Sequence, residues 1–142
     1  MRIADVLRNK GAKVATITPE TSVAALLTEL AVHNIGAMVV VSADGLEGMV
    51  SERDVVRGLQ EVGADLLRRP VSDIMTTVVA TCTPDDSVDS LSALMTTNRV
   101  RHVPVVVDNR LRGIVSIGDV VKTRMEELES EQQRLQAYIS QG

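Results

Sequence analysis

Residues 100–122 read VRHVPVVVDNRLRGIVSIGDVVK. Two apolar runs, Val103 to Val107 and Leu111 to Val115, flank the polar DNR, which is the pattern of a β-hairpin. Arg101 and His102 stand at the mouth of its first strand. Ser116-Ile117-Gly118-Asp119 opens what reads as a helix carrying Val120 and Val121.

The same series occurs once more upstream. Pro84, Ser87 and Asp119 follow Pro19, Ser22 and Asp54 by the same 65 positions, with VATITPETSV from Val14 above VATCTPDDSV from Val79. Roughly 17 of about 44 aligned positions are identical without a gap, against roughly three by chance, so the chain is an internal duplication. In each copy a short strand (Val14 to Thr18; Val79 to Thr83) meets a proline, and Ser22 or Ser87 caps the following helix. Val23, Leu26, Leu27 and Leu30 give that helix one apolar face, nearly repeated by Val88, Leu91, Leu94 and Met95. Ala37 to Val41 and Leu46 to Val50, separated by SADG, give the first copy's hairpin. A final helix opens at Ser51 or Ser116.

IADVL from Ile3 resembles VSDIM from Val71, so a short helix is expected before each copy. The expected organisation is a first repeat with an N-terminal helix over 1–62, a connector and short helix over 63–78, a second repeat over 79–125 and a helical tail over 126–142. At about 60 residues neither half buries enough apolar surface alone. The fold class is therefore α+β: two tandem β-α-β-β-α repeats packed about a pseudo-twofold axis, with a C-terminal helix.

Composition narrows the function. Phe and Trp are absent and the net charge is -4, which leaves neither an aromatic platform for bases nor a basic face for a phosphate backbone. Nucleic acid is not an expected partner. No apolar run approaches the roughly 18 residues that span a bilayer, and the N-terminus lacks the pattern of a secretory signal. A soluble, cytoplasmic protein without a membrane partner is the expectation. Cys82 is the sole cysteine and reads as a core residue. His33 and His102 fall on elements of different copies, so no zinc spacing appears. Neither a nucleophile triad nor a glycine-rich phosphate loop is present, so no catalytic residue, metal or required cofactor is assigned and the protein is expected not to be an enzyme.

Ser51-Glu52-Arg53-Asp54 and Ser116-Ile117-Gly118-Asp119 each satisfy the capping-box pattern, in which a serine and an acid three residues later bond helix-end N–H groups. Each also lies at the carboxyl end of a hairpin strand, where a carboxylate can accept ribose hydroxyls and helix N–H groups can face phosphate.

Strand-Pro-x-x-Ser-Val, RHVPVVV and RLRGIVSIGDVV together resemble the cystathionine-β-synthase (CBS) domain. The two copies are similar to the tandem pair called a Bateman module, over Ile3 to about Met125. The resemblance implies a sensor that binds AMP, ADP, ATP, NAD(H) or S-adenosylmethionine between the repeats, with two modules forming a disc-like homodimer. It assigns ribose binding to Asp54 and Asp119, with Ser51 and Ser116 beside them and Arg53 and Gly118 within the same motifs. Thr16, Ile17, Thr18, Thr81, Cys82 and Thr83 match the segment that reads the adenine edge. Ile35, Met38, Val39, Val100, Val103 and Pro104 match the walls around the base, although core packing explains them equally well. Arg101 and His102 match a basic pair that faces phosphates; the first copy has Gly36 and Ala37 there, so phosphate affinity is expected to be asymmetric. Arg57, Arg99 and Lys122 are further candidates. The alternative is a ligand-free CBS dimer acting as a protein-protein interaction module. In either case the output passes to a separate regulated partner that the sequence does not identify.

From Asp119 to Ile139 no helix breaker intervenes. Val121, Met125, Leu128, Gln132, Leu135 and Ile139 follow alternating steps of four and three, a short heptad seam with one polar position. Folding back on its own module and pairing between subunits both remain open.

Overall fold

The computed structural model describes residues 1–11, 13–77 and 80–141. Helix α1 (Ile3–Lys10) leads to β1 (Thr16–Ile17), α2 (Val23–His33), the hairpin β2 (Ala37–Ser42) and β3 (Gly45–Ser51), and α3 (Glu52–Val62). Two short 3-10 turns, Gly63–Arg68 and Val71–Asp73, connect to α4 (Val88–Asn98), the hairpin β4 (His102–Val107) and β5 (Arg110–Ser116), and the long α5 (Ile117–Gln141). The α+β duplication is thus realised.

Equivalent residues do equivalent work in the two copies. Ser22 Oγ accepts from the Ala25 N–H at 3.1 Å and Ser87 Oγ from the Ser90 N–H at 3.0 Å, capping α2 and α4. Both helices end on a left-handed residue, Asn34 and Arg99. β1 runs parallel to β2, with Thr16 opposite Val39. In the second copy this pairing shrinks to a single parallel bridge, Cys82 to Val105. Val79, the expected start of that strand, lies outside the described residues. Both hairpins are antiparallel and slip register at the same place, after Val40 and after Val105. Their tips meet, the Asn109 Nδ2 donating to the Asp44 carbonyl at 2.6 Å.

Two aliphatic cores form, and each is closed by a segment leading into the other copy. Ile3, Val6 and Leu7 of α1 pack with Val88, Leu91, Met95, Val103 and Val115 of the second copy. Leu66 and Val71 pack with Val23, Leu26, Met38 and Val50 of the first. Ile3 and Val71 are both fully buried, and side chains of this kind contribute about 1.5–3 kcal/mol each when removed from water. The N-terminal helix, expected with the first repeat's segment, therefore completes the second repeat's core. The helix expected before the second copy is only a 3-10 turn, after which Ile74 and Met75 pack on the first core.

The exchange is seated on paired glycines. Gly48 and Gly113 occupy equivalent strand positions opposite Val40 and Val105. A Cβ on Gly113 would lie 2.7 Å from Leu7 of α1, and one on Gly48 would lie 2.5 Å from the Thr76 carbonyl oxygen. The Thr76 N–H and carbonyl both bond Met49, so that backbone cannot withdraw freely. Gly48→Ala should destabilise the protein by about 1–3 kcal/mol, and Gly113→Ala by less, because Leu7 can change rotamer. Urea denaturation of the two variants against wild type measures the difference.

Candidate functional site

Ser116 closes β5 opposite His102. Its Oγ accepts from the Asp119 N–H at 3.2 Å, and Asp119 Oδ2 accepts from the Ser116 N–H at 2.9 Å. The first copy repeats this: the Asp54 N–H reaches Ser51 Oγ at 3.4 Å, and Asp54 Oδ2 accepts from Ser51 N–H at 2.8 Å and Ser51 Oγ–H at 3.1 Å. Both elements are capping boxes in fact. Each commits one carboxylate oxygen, and among the described residues neither Asp54 Oδ1 nor Asp119 Oδ1 has a hydrogen-bond partner.

The two aspartates differ in what else reaches them. Because α1 packs on the second copy, Lys10 at its C-terminal end comes to Asp119, its Nζ donating to Oδ2 at 2.6 Å and to the Ile114 carbonyl at 2.9 Å. Partial burial pushes the Asp119 carboxyl up, but the Lys10 hydrogen bond and charge, together with the Ser116 bonds, outweigh it and hold the group below its ordinary value. In the register that sets IADVL against VSDIM, the sequence position equivalent to Lys10 is the uncharged Val78, and among the described residues Asp54 has no cationic partner.

A cleft of about 560 Å³ opens between the copies beside Ser116. Lys10, Lys13, Val14 and Ala15 line it from the N-terminal segment, Ile35, Gly36, Ala37 and Val39 from the first copy, and His102, Ile114 and Ser116 from the second, with His33 at its edge. This volume suits a nucleotide-sized ligand. Its lining brings together three kinds of surface: aliphatic walls, the Ser116 hydroxyl, and two lysines with two histidines. Among the described residues no Asp or Glu lines it; Asp119 lies behind Lys10, in an adjoining cavity of about 130 Å³ that also holds Lys122. The pseudo-symmetric counterpart, lined by Met49, Thr76, Thr77, Ala80, Val100, His102 and Pro104, measures only about 90 Å³. A further groove of about 460 Å³ crosses the hairpin tips past Asp44, Asp108 and Arg110, away from both Ser-x-x-Asp elements.

His102 lines both inter-repeat cavities. Burial lowers its pKa from the ordinary value, and the positive charges of Lys10 and Arg101 act in the same direction against the opposing pull of Asp119.

The residues singled out from sequence separate accordingly. Ile35, Val39, His102 and Ser116 gather at the larger cleft, and Val100 and Pro104 at the smaller. Met38, Val103, Ile17 and Cys82 are core residues; burial, with Asp86 nearby, pushes the Cys82 thiol up to about 12. Thr16 faces the groove at the hairpin tips, while Thr18 bonds Thr21 at 2.8 Å. Thr81 and Thr83 are exposed, and the Thr83 N–H is bonded to Asp86. The stretch at the larger cleft is thus Lys13 to Ala15, just before β1. Arg101 holds the Ile117 N–H through its carbonyl at 2.8 Å, and, like Arg53, Arg57, Arg99 and Gly118, it lines none of these cavities. Lys10 and Lys13 carry no motif of their own in the sequence; the resemblance of IADVL to VSDIM is the available sign that their segment belongs to the repeat.

Two β-α-β-β-α units sharing exchanged core segments, with a polar cleft where equivalent strands face each other, define a paired-repeat binding module. Residues 3–61 and 71–126 match the CBS domain, and the chain belongs to that family as a tandem pair. It is 38% identical over 149 residues to the mitochondrial CBS domain-containing protein CBSX3 of Arabidopsis thaliana, covering 99% of this chain and 72% of that one. The structure resembles the CBS-domain containing protein ATU1752 from Agrobacterium tumefaciens, with a TM-score of 0.79, 44% identity and coverage of 87% of this chain and 92% of that one. It also resembles the CBS domain pair of protein MJ0100 in complex with 5-methylthioadenosine and S-adenosyl-L-methionine. That likeness has a TM-score of 0.74 and 26% identity, covering 87% of this chain and 98% of that one. No helix among the described residues is long and apolar enough to cross a membrane, and none of them form a cluster of three or more His, Cys, Asp or Glu able to hold a metal ion.

Lys10→Met should raise the Asp119 carboxyl toward the ordinary value of about 3.9, measurable by NMR titration of the side-chain carboxyl. A depressed carboxyl stabilises the fold above the unfolded value and loses that contribution as pH falls through the folded one. The variant's deficit, about 1 kcal/mol at neutral pH, should therefore shrink on acidification.

Proposed function

We propose that this CBS pair is a non-enzymatic sensor that binds AMP, ADP, ATP or NAD(H) in the larger inter-repeat cleft and transmits occupancy to a separate protein. The observation that carries the reading is the convergence of Ser116, Lys10, Lys13 and His102 on one aliphatic-walled cavity of nucleotide size. Adenine packs between Ile35, Val39, Val14 and Ile114. The ribose hydroxyls take the free Asp119 oxygen and Ser116, and the phosphates face Lys10, Lys13 and His102. The adenosyl ligands held by the MJ0100 domain pair support an adenosine-binding cleft. The cationic lining here favours a phosphate-bearing ligand over the sulfonium of S-adenosylmethionine, because like charges brought together in a partly dry site repel. Occupancy then reports energy or redox status.

The same reading includes a homodimer. Val56 and Val121 occupy equivalent positions on α3 and α5, are 66% and 51% exposed, and give the two copies matching apolar faces. A cytoplasmic setting is part of it too, supported by the free Cys82; the plant relative, by contrast, is mitochondrial.

A thermal-shift series with AMP, ADP, ATP, NAD, NADH and S-adenosylmethionine tests the reading. A ligand at 100 times its Kd adds about 2.7 kcal/mol, and a flat response to all six rejects it in favour of a partner-binding module. Asp119→Ala should weaken the responding nucleotide by about 10- to 100-fold, through loss of the charge-assisted hydrogen bond to its free oxygen, worth about 1.5–3 kcal/mol. Asp54→Ala, in the first copy's Ser-x-x-Asp element, should leave that affinity nearly unchanged in calorimetric titration.

The depressed His102 pKa gives a second check. Facing Lys10, Arg101 and Asp119, the imidazole is neutral at pH 7 in the empty cleft, and a bound phosphate favours its protonated form. Binding should take up a proton, so affinity should rise as pH falls from about 8 to about 6. His102→Ala should lose that gain, leaving only the ligand's own titration.

A further inference from the structure

The family match ends at residue 126, yet α5 continues to Gln141. We infer that the C-terminal half of α5 pairs with the same helix of a second copy, parallel and in register, as a short two-stranded coiled coil. This is independent of what the cleft binds.

Contact with the chain's own module stops at Glu127. Val120 and Thr123 are buried against it, and Glu127, half-buried, meets the N-terminal amine at 3.5 Å. Every residue from Leu128 to Gln141 is exposed, a projection of roughly 20 Å at 1.5 Å per residue. An isolated helix of that length is marginal in water and needs an apolar face to be covered. The face exists. Met125, Leu128, Leu135 and Ile139 are 56%, 63%, 62% and 73% exposed, and they lie on one seam, rotated away from Val120 and Thr123.

The charges beside the seam choose its occupant and orientation. With Met125, Gln132 and Ile139 at a positions and Leu128 and Leu135 at d, Arg124 and Glu131 fall at g, and Glu129 and Gln136 at e. In a parallel, in-register pair each Arg124 faces Glu129 of the other copy, each Glu131 faces a Gln136, and Gln132 meets its own counterpart. In the fully overlapped antiparallel pair Glu129 would oppose Glu129, Glu131 would oppose Glu131, and Gln132 would be buried against Leu128. The parallel arrangement joins opposite charges and pairs the polar a residues; the antiparallel one does neither. Arg124 bonds Asp89 at 2.6 Å and Glu127 at 3.3 Å through Nη1 alone, so Nη2 is available to the second copy.

Disulfide trapping on the full chain distinguishes the geometries. Gln132→Cys and Glu129→Cys are prepared separately and oxidised mildly, with wild type, whose Cys82 is buried, as the blank. Gln132→Cys should shift from the monomer to the dimer mass on a non-reducing gel. Glu129→Cys should stay at the monomer mass, and adding Leu128→Asp to Gln132→Cys should abolish the link. Preferential linking of Glu129→Cys, equal linking of both, linking of neither, or linking that survives Leu128→Asp overturns the inference.

Discussion

Neither repeat closes its own core, and the rest of the architecture follows from that shortage. A β-α-β-β-α unit of this length leaves one side of its hairpin uncovered, and burying that side requires a few large aliphatic side chains from elsewhere. The duplication solves this by exchange: α1 brings Ile3, Val6 and Leu7 to the second copy, and the connector brings Leu66 and Val71 to the first. Because the exchanged segments cross between units, the copies are held in a fixed relation, and the space between equivalent strands becomes a defined cleft. Without that exchange, the copies would meet through their hairpins, as in the contact of Asn109 with Asp44.

The backbone symmetry does not extend to the chemistry of the two cavities. Gly36 and Ala37 in one copy correspond to Arg101 and His102 in the other, and Lys10 corresponds in sequence to Val78. These differences act together. Small residues at 36 and 37 leave the larger cleft open, whereas His102, in place of Ala37, narrows its counterpart, and Lys10 adds charge where there is room for a ligand. A duplicated fold thus presents one spacious cationic site and one small site, with His102 bordering both. A ligand or an induced charge at either cavity is felt by the same imidazole.

The constant 65-residue offset in the sequence made the repeat, the hairpins and the serine caps legible, because each depends on neighbours in the chain. The Ser-x-x-Asp elements were equally legible, since a capping box is a local device that ends its strand at the cleft. The partner of Asp119 was not. Lys10 lies 109 positions away and arrives only through the exchange of α1, a placement set by the fit of Leu7 over Gly113 rather than by any spacing in the chain. The same distance hid Lys13. In the segment after them, singled out through the family pattern, Ile17 lies in the core, Thr18 bonds Thr21 and Thr16 faces the hairpin-tip groove, and the residues nearest the cleft begin three positions earlier. Periodicity found the seam on α5, but whether the seam turned inward depended on Val120 and Thr123 claiming the neighbouring face first.

The Lys10–Asp119 pair sets the terms on which a ribose could occupy the cleft. Lys10 covers Oδ2, already shared with the Ser116 N–H, so the carboxylate offers one free oxygen rather than two. A ribose that bonds through Oδ1 alone leaves the ion pair intact and gains a single charged hydrogen bond, about 1.5–3 kcal/mol. One that engages both oxygens must displace Lys10 from a pair that, with both side chains partly exposed, is worth about 1 kcal/mol. The second hydrogen bond exceeds that cost, and the freed ammonium is already at the wall of the cleft on a flexible stem, where phosphate oxygens compensate for the lost carboxylate. A nucleoside without phosphate recovers nothing for the displaced lysine. On the proposed nucleotide reading, the same ion pair that preserves the negative charge of Asp119 in the empty cleft would discriminate between phosphorylated and unphosphorylated ligands, and the end of α1, a core element of the second repeat, would move when a phosphorylated one binds.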